Sequence, residues 1–320
     1  MTESNTRPNR VAVVGAGNVG ATFAYSLLMS GVTSEIVLID ANHAKAEGEA
    51  MDINHAVPML RPARVWAGSY ADCAGAAVTV ITAGSNQRPG ETRLDLVQRN
   101  VSIFKSIVTS VAEHNPNGII LVATNPVDVL SYATWKFSGL PSSRVIGSGT
   151  ILDTARFRYL ISKMFDVDPR SVHAYIIGEH GDSEVPAWSL TNIAGMNIHD
   201  YCEMNHMHCQ EEQLDEAFLQ TRDAAYHIIE RKGATYYAIA SGLTRIVEAI
   251  LRDESTVLSV SSLISDYYDI DDVYLSLPSI IDRGGLERFI RLQLADNEIE
   301  GLRKSANVLK DIIRTLDLSR

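Results

Sequence analysis

The sequence predicts an α/β chain in which a doubly wound parallel sheet is followed by an α+β domain. Three observations predict it. Strand, glycine turn, helix and second strand follow one another within residues 11–40. Short apolar runs then alternate with helical stretches as far as Phe137, and after that the alternation stops. Wholly apolar strands set between helices mark a parallel sheet covered on both faces.

The opening unit is the most specific. Val11-Ala12-Val13-Val14 is long enough for a buried strand, and Gly15-Ala16-Gly17-Asn18-Val19-Gly20 follows directly. Residues 21–30 read as a helix, Gly31 ends it, and Glu35–Ile39 reads as a strand closing on Asp40. That spacing is a Rossmann-type dinucleotide-binding unit. Gly15 serves the tight turn, Gly17 lets a pyrophosphate approach the backbone, and Gly20 lets helix and strand pack closely. Asn18 and Val19 lie in the turn, and the N–H groups and positive dipole end of the helix that follows would face the phosphates. Asp40 stands where a carboxylate accepts from both ribose hydroxyls. It selects NAD, because the 2′-phosphate of NADP would be repelled. With no ligand, the same residues would be a glycine-rich turn and an ordinary strand-end acid.

A polar helix near 43–54, a short strand at Arg64–Ala67 and an apolar strand at 78–83 come next. A long helical stretch at 92–114 ends in Asn115-Pro116-Asn117-Gly118, before a buried strand at 119–123 and a helix at 127–137. Ligands gather beyond the carboxyl ends of such strands, so the loops 15–20, 83–93 and 124–128 are expected on one edge. The second half reads as a helix at 150–165, a strand at 172–177, a charged helix at Glu211–Lys232 and a helix at 236–251 with an apolar face. Antiparallel strands at 256–260 and 273–281 flank an acidic turn. The last helix carries Ile299, Leu302, Ala306, Leu309, Ile313 and Leu316 as one stripe for packing on the body. No linker marks a boundary. It is placed near Gly147–Gly149, giving a dinucleotide-binding domain at 1–148 and a substrate domain at 149–320.

The totals narrow the function. A chain of 320 residues with 46% hydrophobic and 21% charged content is an ordinary globule with room for two domains. A net charge of −11 argues against nucleic acid or an anionic membrane as partner, and makes an anionic substrate depend on locally placed Arg. Cys73, Cys202 and Cys209 are few and odd in number, which implies a reducing compartment and no disulfide framework. The first ten residues lack an apolar core of the signal-peptide kind, and no apolar run reaches membrane-spanning length. The expectation is a cytoplasmic protein.

Candidate chemistry lies at the strand end Ile176-Ile177-Gly178-Glu179-His180-Gly181-Asp182-Ser183-Glu184. A His in such a loop can exchange a proton near neutrality. Upstream, Asp153 and Arg156 share a helix face at i and i+3. An Asp can fix a His tautomer and stabilise its charged form. An Arg beside it can grip a carboxylate through two parallel bonds. The bland alternatives are a loop His bonded to a carbonyl and a surface ion pair. The polar loop 84–93 looks like a lid with Arg93 at its trailing hinge, and Asn125 can offer an amide to the same crevice.

The ordered set of Gly15–Gly20, Asp40, Gly90-Glu91-Thr92-Arg93, Asn125-Pro126-Val127-Asp128, Leu152-Asp153-Thr154-Ala155-Arg156 and Gly178-Glu179-His180-Gly181-Asp182 resembles the L-lactate/malate dehydrogenase family, its bacterial L-lactate members in particular. The resemblance runs from about Arg10 to the C-terminal helix. It implies hydride exchange between a nicotinamide and a 2-hydroxy acid, with His180 as proton donor and acceptor and Asp153 orienting it. Arg156 would hold the substrate carboxylate, and Arg93 would polarise the carbonyl. Asn125 would bond the same oxygen and border the cofactor, Thr235 would line the substrate pocket, and Ile239 would pack on the nicotinamide. Gln87 stands where malate enzymes place an Arg, which implies pyruvate and L-lactate rather than oxaloacetate. Arg88 would compete only if the loop slipped by one residue, and Gly90–Arg93 fixes the register. The alternatives are a malate dehydrogenase and a catalytically idle NAD-binding protein.

Two further features stand apart from this set. His199, Cys202, His206, His208 and Cys209 cluster locally, but their intervals match no common zinc pattern, and no metal is expected. Arg158 lies two residues past Arg156, so its side chain points to another side of the helix. The resemblance implies that Arg158 and His173 bind fructose 1,6-bisphosphate at a two-fold interface of a homotetramer.

Overall fold

The computed structural model describes residues 9–85, 90 and 92–319, with the backbone alone at Arg93. Its first half runs β1 (Arg10–Val14), α1 (Asn18–Ser30), β2 (Glu35–Ile39), α2 (His43–Ala56), β3 (Arg64–Ala67), β4 (Val78–Ile81), α3 (Arg93–His114), β5 (Ile119–Val122), α4 (Val127–Ser138) and β6 (Val145–Gly147). These six strands are parallel in the order β6-β5-β4-β1-β2-β3. The strand order reverses between β1 and β4, so a ligand crevice is expected beyond their carboxyl ends. Burial explains the apolar runs. Val11 and Val13 of β1 face one core with Phe23 and Leu27 of α1. Ala12 and Val14 face another, with Phe104 of α3 and Leu130 of α4. One strand thus fills two cores, because side chains alternate across a sheet.

The second half runs α5 (Ile151–Phe165), β7 (Val172–His173), β8 (Ile176–Ile177), β9 (Val185–Pro186), β10 (Asn192–Ile193), β11 (Met196–Asn197), α6 (Ile198–Met204), α7 (Glu211–Lys232), α8 (Tyr237–Arg252), β12 (Thr256–Ile264), β13 (Val273–Asp282), β14 (Gly285–Phe289) and α9 (Asp296–Arg314). The antiparallel β12 and β13 are present as expected, but β12 also pairs with β6 through Ser261 and Gly147. The parallel sheet therefore continues into the second half as one sheet, of nine strands among the described residues. The strand expected at 172–177 is two pieces in different sheets. β7 pairs with β10, and β8 with β9. Between them the Ala174 carbonyl accepts from Arg158 Nε at 2.9 Å, so the chain leaves one ladder before joining the other.

The α9 stripe packs on the same core as α3 and α4, with Leu302, Ala306 and Leu309 buried. A third core joins Phe157 and Ile161 of α5 to Leu214 of α7. No disulfide framework was expected, and one local pairing departs from that expectation. A turn through His206, at φ 53°, brings Cys209 back to Cys202 at the end of α6, and the two are bonded. Cys73 is buried, and burial pushes its thiol up to about 11. Among the described residues no helix is long and apolar enough to cross a membrane.

Candidate active site

The crevice opens where β1 and β4 part. Gly15 turns at φ +107°, and a Cβ there would lie 2.5 Å from the Ala83 nitrogen. A Cβ on Gly20 would overlap the Gly15 carbonyl, so both positions demand glycine. Gly17 differs: a Cβ on it would meet nothing within 4 Å. Its Cα borders the crevice, and it is the N-cap of α1 without contributing a capping side chain. The first N–H groups of α1, from Asn18 and Val19 onward, are uncapped by any side chain and have no acid in their turn. That is the arrangement an anion needs. Asp40 Oδ2 accepts the Ala16 N–H at 2.7 Å, and Oδ1 accepts the Asn42 N–H at 2.8 Å. Each oxygen keeps a second lone pair, and Asp40 lines the crevice with Lys45 and Tyr70. Room at Gly17, a bare helix start and an acid at the β2 end fit a dinucleotide with an unphosphorylated ribose.

The second part of the site is a loop fixed by its own backbone. Gly178 exchanges two backbone hydrogen bonds with Ser276 of β13, at 2.9 and 2.8 Å. The Glu179 N–H donates to Ser305 Oγ of α9 at 2.7 Å, and the His180 N–H donates to Asp128 Oδ2 of α4 at 2.8 Å. Three consecutive residues are thus tied to three elements. His180 is presented to α5, where Asp153 Oδ2 lies 2.5 Å from its Nδ1. Asp153 is buried, and its Oδ1 accepts from Arg156 Nη1 at 2.9 Å. Burial alone would hold the imidazole neutral. The Asp153 charge and hydrogen bond, with Asp128 and Glu184 behind them, raise it instead to about 9. Burial opposes the Asp153 charge as well, but His180 and Arg156 outweigh it and keep this carboxyl below its ordinary value. One acid therefore serves both cations.

Asn125, Asp153, Arg156 and His180 line one cleft, as the sequence expectation required. The Asn125–Pro126 peptide is cis. Thr235 lies in the link between α7 and α8, and Ile239 in the first turn of α8; neither is among the cleft's lining residues. Gln87 and Arg88 lie outside the described residues, as does the Arg93 side chain. The start of α3 is defined: Thr92 Oγ1 accepts the Asp95 N–H at 3.1 Å, and Asp95 Oδ2 accepts the Thr92 N–H at 3.1 Å. This reciprocal cap fixes the start of α3. Arg158 points away from the cleft, with its guanidinium 5.1 Å over the Tyr175 ring, and His173 is exposed on β7.

Sequence reasoning missed several contributors. Arg222, Tyr226 and Ile229 of α7 line the cleft, and their i, i+4, i+7 spacing was the available signal. Tyr226 donates to Asp182 Oδ1 at 3.1 Å. Glu184 is buried beside Asp153 and His180, and its Oε1 is without a hydrogen-bond partner among the described residues. Burial and then the Asp153 charge push it up to about 9. Asp128 was noted in its motif without a role.

A Rossmann crevice leading to an Asp–His pair and an Arg defines the class: an NAD-dependent oxidoreductase. Comparison narrows it. The family model for the lactate/malate dehydrogenase NAD binding domain matches residues 9–147, and that for the lactate/malate dehydrogenase alpha/beta C-terminal domain matches 150–317. The chain belongs to the lactate/malate dehydrogenase family. It is 54% identical to an L-lactate dehydrogenase of Acetivibrio thermocellus over 97% of this chain and 98% of that one. An L-lactate dehydrogenase of Priestia megaterium is also 54% identical, with 97% of each chain covered. Among solved structures, the minor L-lactate dehydrogenase of Enterococcus mundtii superposes with a TM-score of 0.94 at 46% identity, covering 97% of this chain and 99% of that one.

Proposed function

We propose that this chain interconverts pyruvate and L-lactate with NAD, and that His180 carries the proton. The observation that supports this best is the Asp153–His180 pair beside Arg156 in one small cleft. When bound, the nicotinamide supplies or accepts the hydride. The crevice residues Gly15, Gly17, Asn18, Val19, Gly20 and Asp40 hold the cofactor, with Asn125 and Ile239 nearer its reactive end. Asp153 occupies Nδ1 of His180, which leaves Nε2 to give a proton to the substrate oxygen or take one back. Arg156 binds the substrate carboxylate, Arg93 polarises the carbonyl, Asn125 orients it, and Thr235 borders the methyl group. Gln87 gives a second carboxylate no partner, and burying one unpaired costs several kcal/mol, on the order of three or more. The chain divides into an NAD-binding domain at 1–148 and a catalytic domain at 149–320, and we place it in the cytoplasm.

The test follows NADH absorbance with pyruvate and with oxaloacetate, in the native chain, His180→Ala and Gln87→Arg. We expect preference for pyruvate, collapse of kcat but not of NADH affinity in His180→Ala, and a shift toward oxaloacetate in Gln87→Arg. Near-normal turnover by His180→Ala would remove His180 from the mechanism.

Regulation follows from the same family reading. Arg158 and His173 from two subunits would bind fructose 1,6-bisphosphate at a two-fold interface of a homotetramer and favour the active arrangement. Arg158 donates to the Ala174 carbonyl, one residue from His173, which supports a shared site. The apparent KM for pyruvate should fall on adding the bisphosphate. Identical saturation curves, for an enzyme not already an active tetramer by sedimentation, would refute it.

A further inference from the structure

We infer that Asp128 is a positioning residue for His180, acting through the His180 main chain and through its charge. The inference rests on the reading of His180 as proton carrier. Asp128 sits in the first turn of α4 and is 2% exposed. Its Oδ2 accepts the His180 N–H at 2.8 Å, and its Oδ1 accepts the Ser261 hydroxyl of β12 at 2.6 Å. One carboxyl group therefore ties the first half of the chain to the catalytic loop and to the antiparallel strands. His180 is held twice, at its backbone by Asp128 and at its ring by Asp153.

The choice of residue is informative. The N–H groups of Gly178 and Glu179 are satisfied by neutral acceptors, a backbone carbonyl and the Ser305 hydroxyl. A neutral acceptor would serve the His180 N–H equally well. A buried carboxylate with two neutral donors is costly to ionise. Burial accordingly raises Asp128 to about 6, against the bonds from Ser261 and His180. That cost is offset if the charge is used, and the imidazolium beside it is the charge it can serve. The groups that face His180 are Asp128 from α4, Asp153 and Arg156 from α5, Glu179, Asp182 and Glu184 from its own loop, and Arg222 from α7. Burial of His180 is opposed first by Asp153 and then by Asp128. Above about pH 6 Asp128 is ionised and supports the protonated ring through the range in which pyruvate is reduced.

Asp128→Asn keeps the size and an acceptor for the His180 N–H, and its amide can donate to Ser261. It removes only the charge. Pyruvate reduction needs His180 protonated, so its rate falls as pH rises through the His180 pKa. The test is the pH profile of kcat/KM for pyruvate, beside NADH affinity from fluorescence titration. In Asp128→Asn the alkaline limb should come about half a pH unit earlier, a loss of roughly threefold beyond the limb, with NADH affinity unchanged. Ser261→Ala loses one tether and raises Asp128 further, but leaves it ionised in the alkaline range of the limb; it should lower kcat about twofold or more with the limb in place. An Asp128→Asn limb that superposes on the native one overturns the inference and leaves His180 as proton carrier standing. If Asp128→Asn does not fold, Ser261→Ala with native kcat overturns it. A native profile with no alkaline limb overturns the reading of His180 and this inference with it.

Discussion

Replacing Asp153 by Asn separates the electrostatics of the Asp153–His180 pair from its shape. The amide has the same size and sits in the same buried place, but it has no charge. Burial works against a protonated His180, and Asp153 is the main reason that the ring nonetheless holds its proton to about 9 instead of 6.5. At about 1.36 kcal/mol per pH unit, that difference is roughly 3 kcal/mol in favour of the imidazolium. In Asp153→Asn that main support is gone, and the ring should fall back toward its ordinary value of 6.5. At about pH 8 the native ring is mostly protonated, and the variant ring only to a few per cent. Pyruvate reduction should therefore fall roughly thirtyfold from protonation alone, and further because the tautomer is no longer fixed. Arg156 exchanges a charged partner at 2.9 Å for a neutral amide oxygen at the same time, so KM for pyruvate should rise as well. Initial rates of NADH oxidation and of NAD reduction across the pH range measure this. The sign differs between directions. Lactate oxidation needs the neutral ring, so its limb should also move to lower pH and the variant should suffer less in that direction. An Asp153→Asn enzyme whose alkaline limb stays near the native one would refute the reasoning.

Three other outcomes are expected. NAD should be preferred over NADP because the Asp40 carboxylate lines the crevice at the end of β2, where it would repel a 2′-phosphate, and Asp40→Ala should narrow that preference, measured as the ratio of kcat/KM for the two cofactors. Gly20→Ala should cost at least about 2 kcal/mol of stability, read from denaturant unfolding, since its Cβ would overlap the Gly15 carbonyl; a stable variant with native NADH affinity would show that the turn can relax. Glu184 is raised from 4.5 to about 9 by burial and the Asp153 charge, so the folded chain holds its proton more tightly than the unfolded one. Stability is therefore lost as pH rises across that window, and Glu184→Gln should raise Tm relative to native by more at alkaline than at acid pH. A Tm difference that does not change with pH would place the Glu184 side chain in water.

Much of this molecule was legible because much of it is local. The strands β2 and β3 and the helix α7 fall where apolar runs and periodicity put them, and the glycine turn and Asp40 lie within one stretch of chain. Asp153 and Arg156 were legible as a pair on one helix face, and they share a bond. What escaped depends on distant partners. The run Val172–Ile177 is apolar enough for one strand, but Arg158 and the β10 and β9 partners divide it. Asp128 reads as a helix-start acid until Ser261 and His180 are folded against it. Glu184 reads as a loop acid, since nothing local shows that it is buried. The Cys202–Cys209 bond needed the reversal at His206, which composition cannot reveal.

The tethered loop has a consequence for exchange with solvent. Loops ordinarily open on their own and exchange their amide protons quickly. The amides of Gly178, Glu179 and His180 donate to Ser276, Ser305 and Asp128, which belong to β13, α9 and α4. None of the three can be released by a movement of the loop alone, because each is shared with a different packed element. In deuterated buffer these amides should exchange with the slowest protons of the sheet. The Glu179 proton reports on the last helix of the chain, so loosening α9 would register at the catalytic loop before it registered anywhere in the dinucleotide crevice.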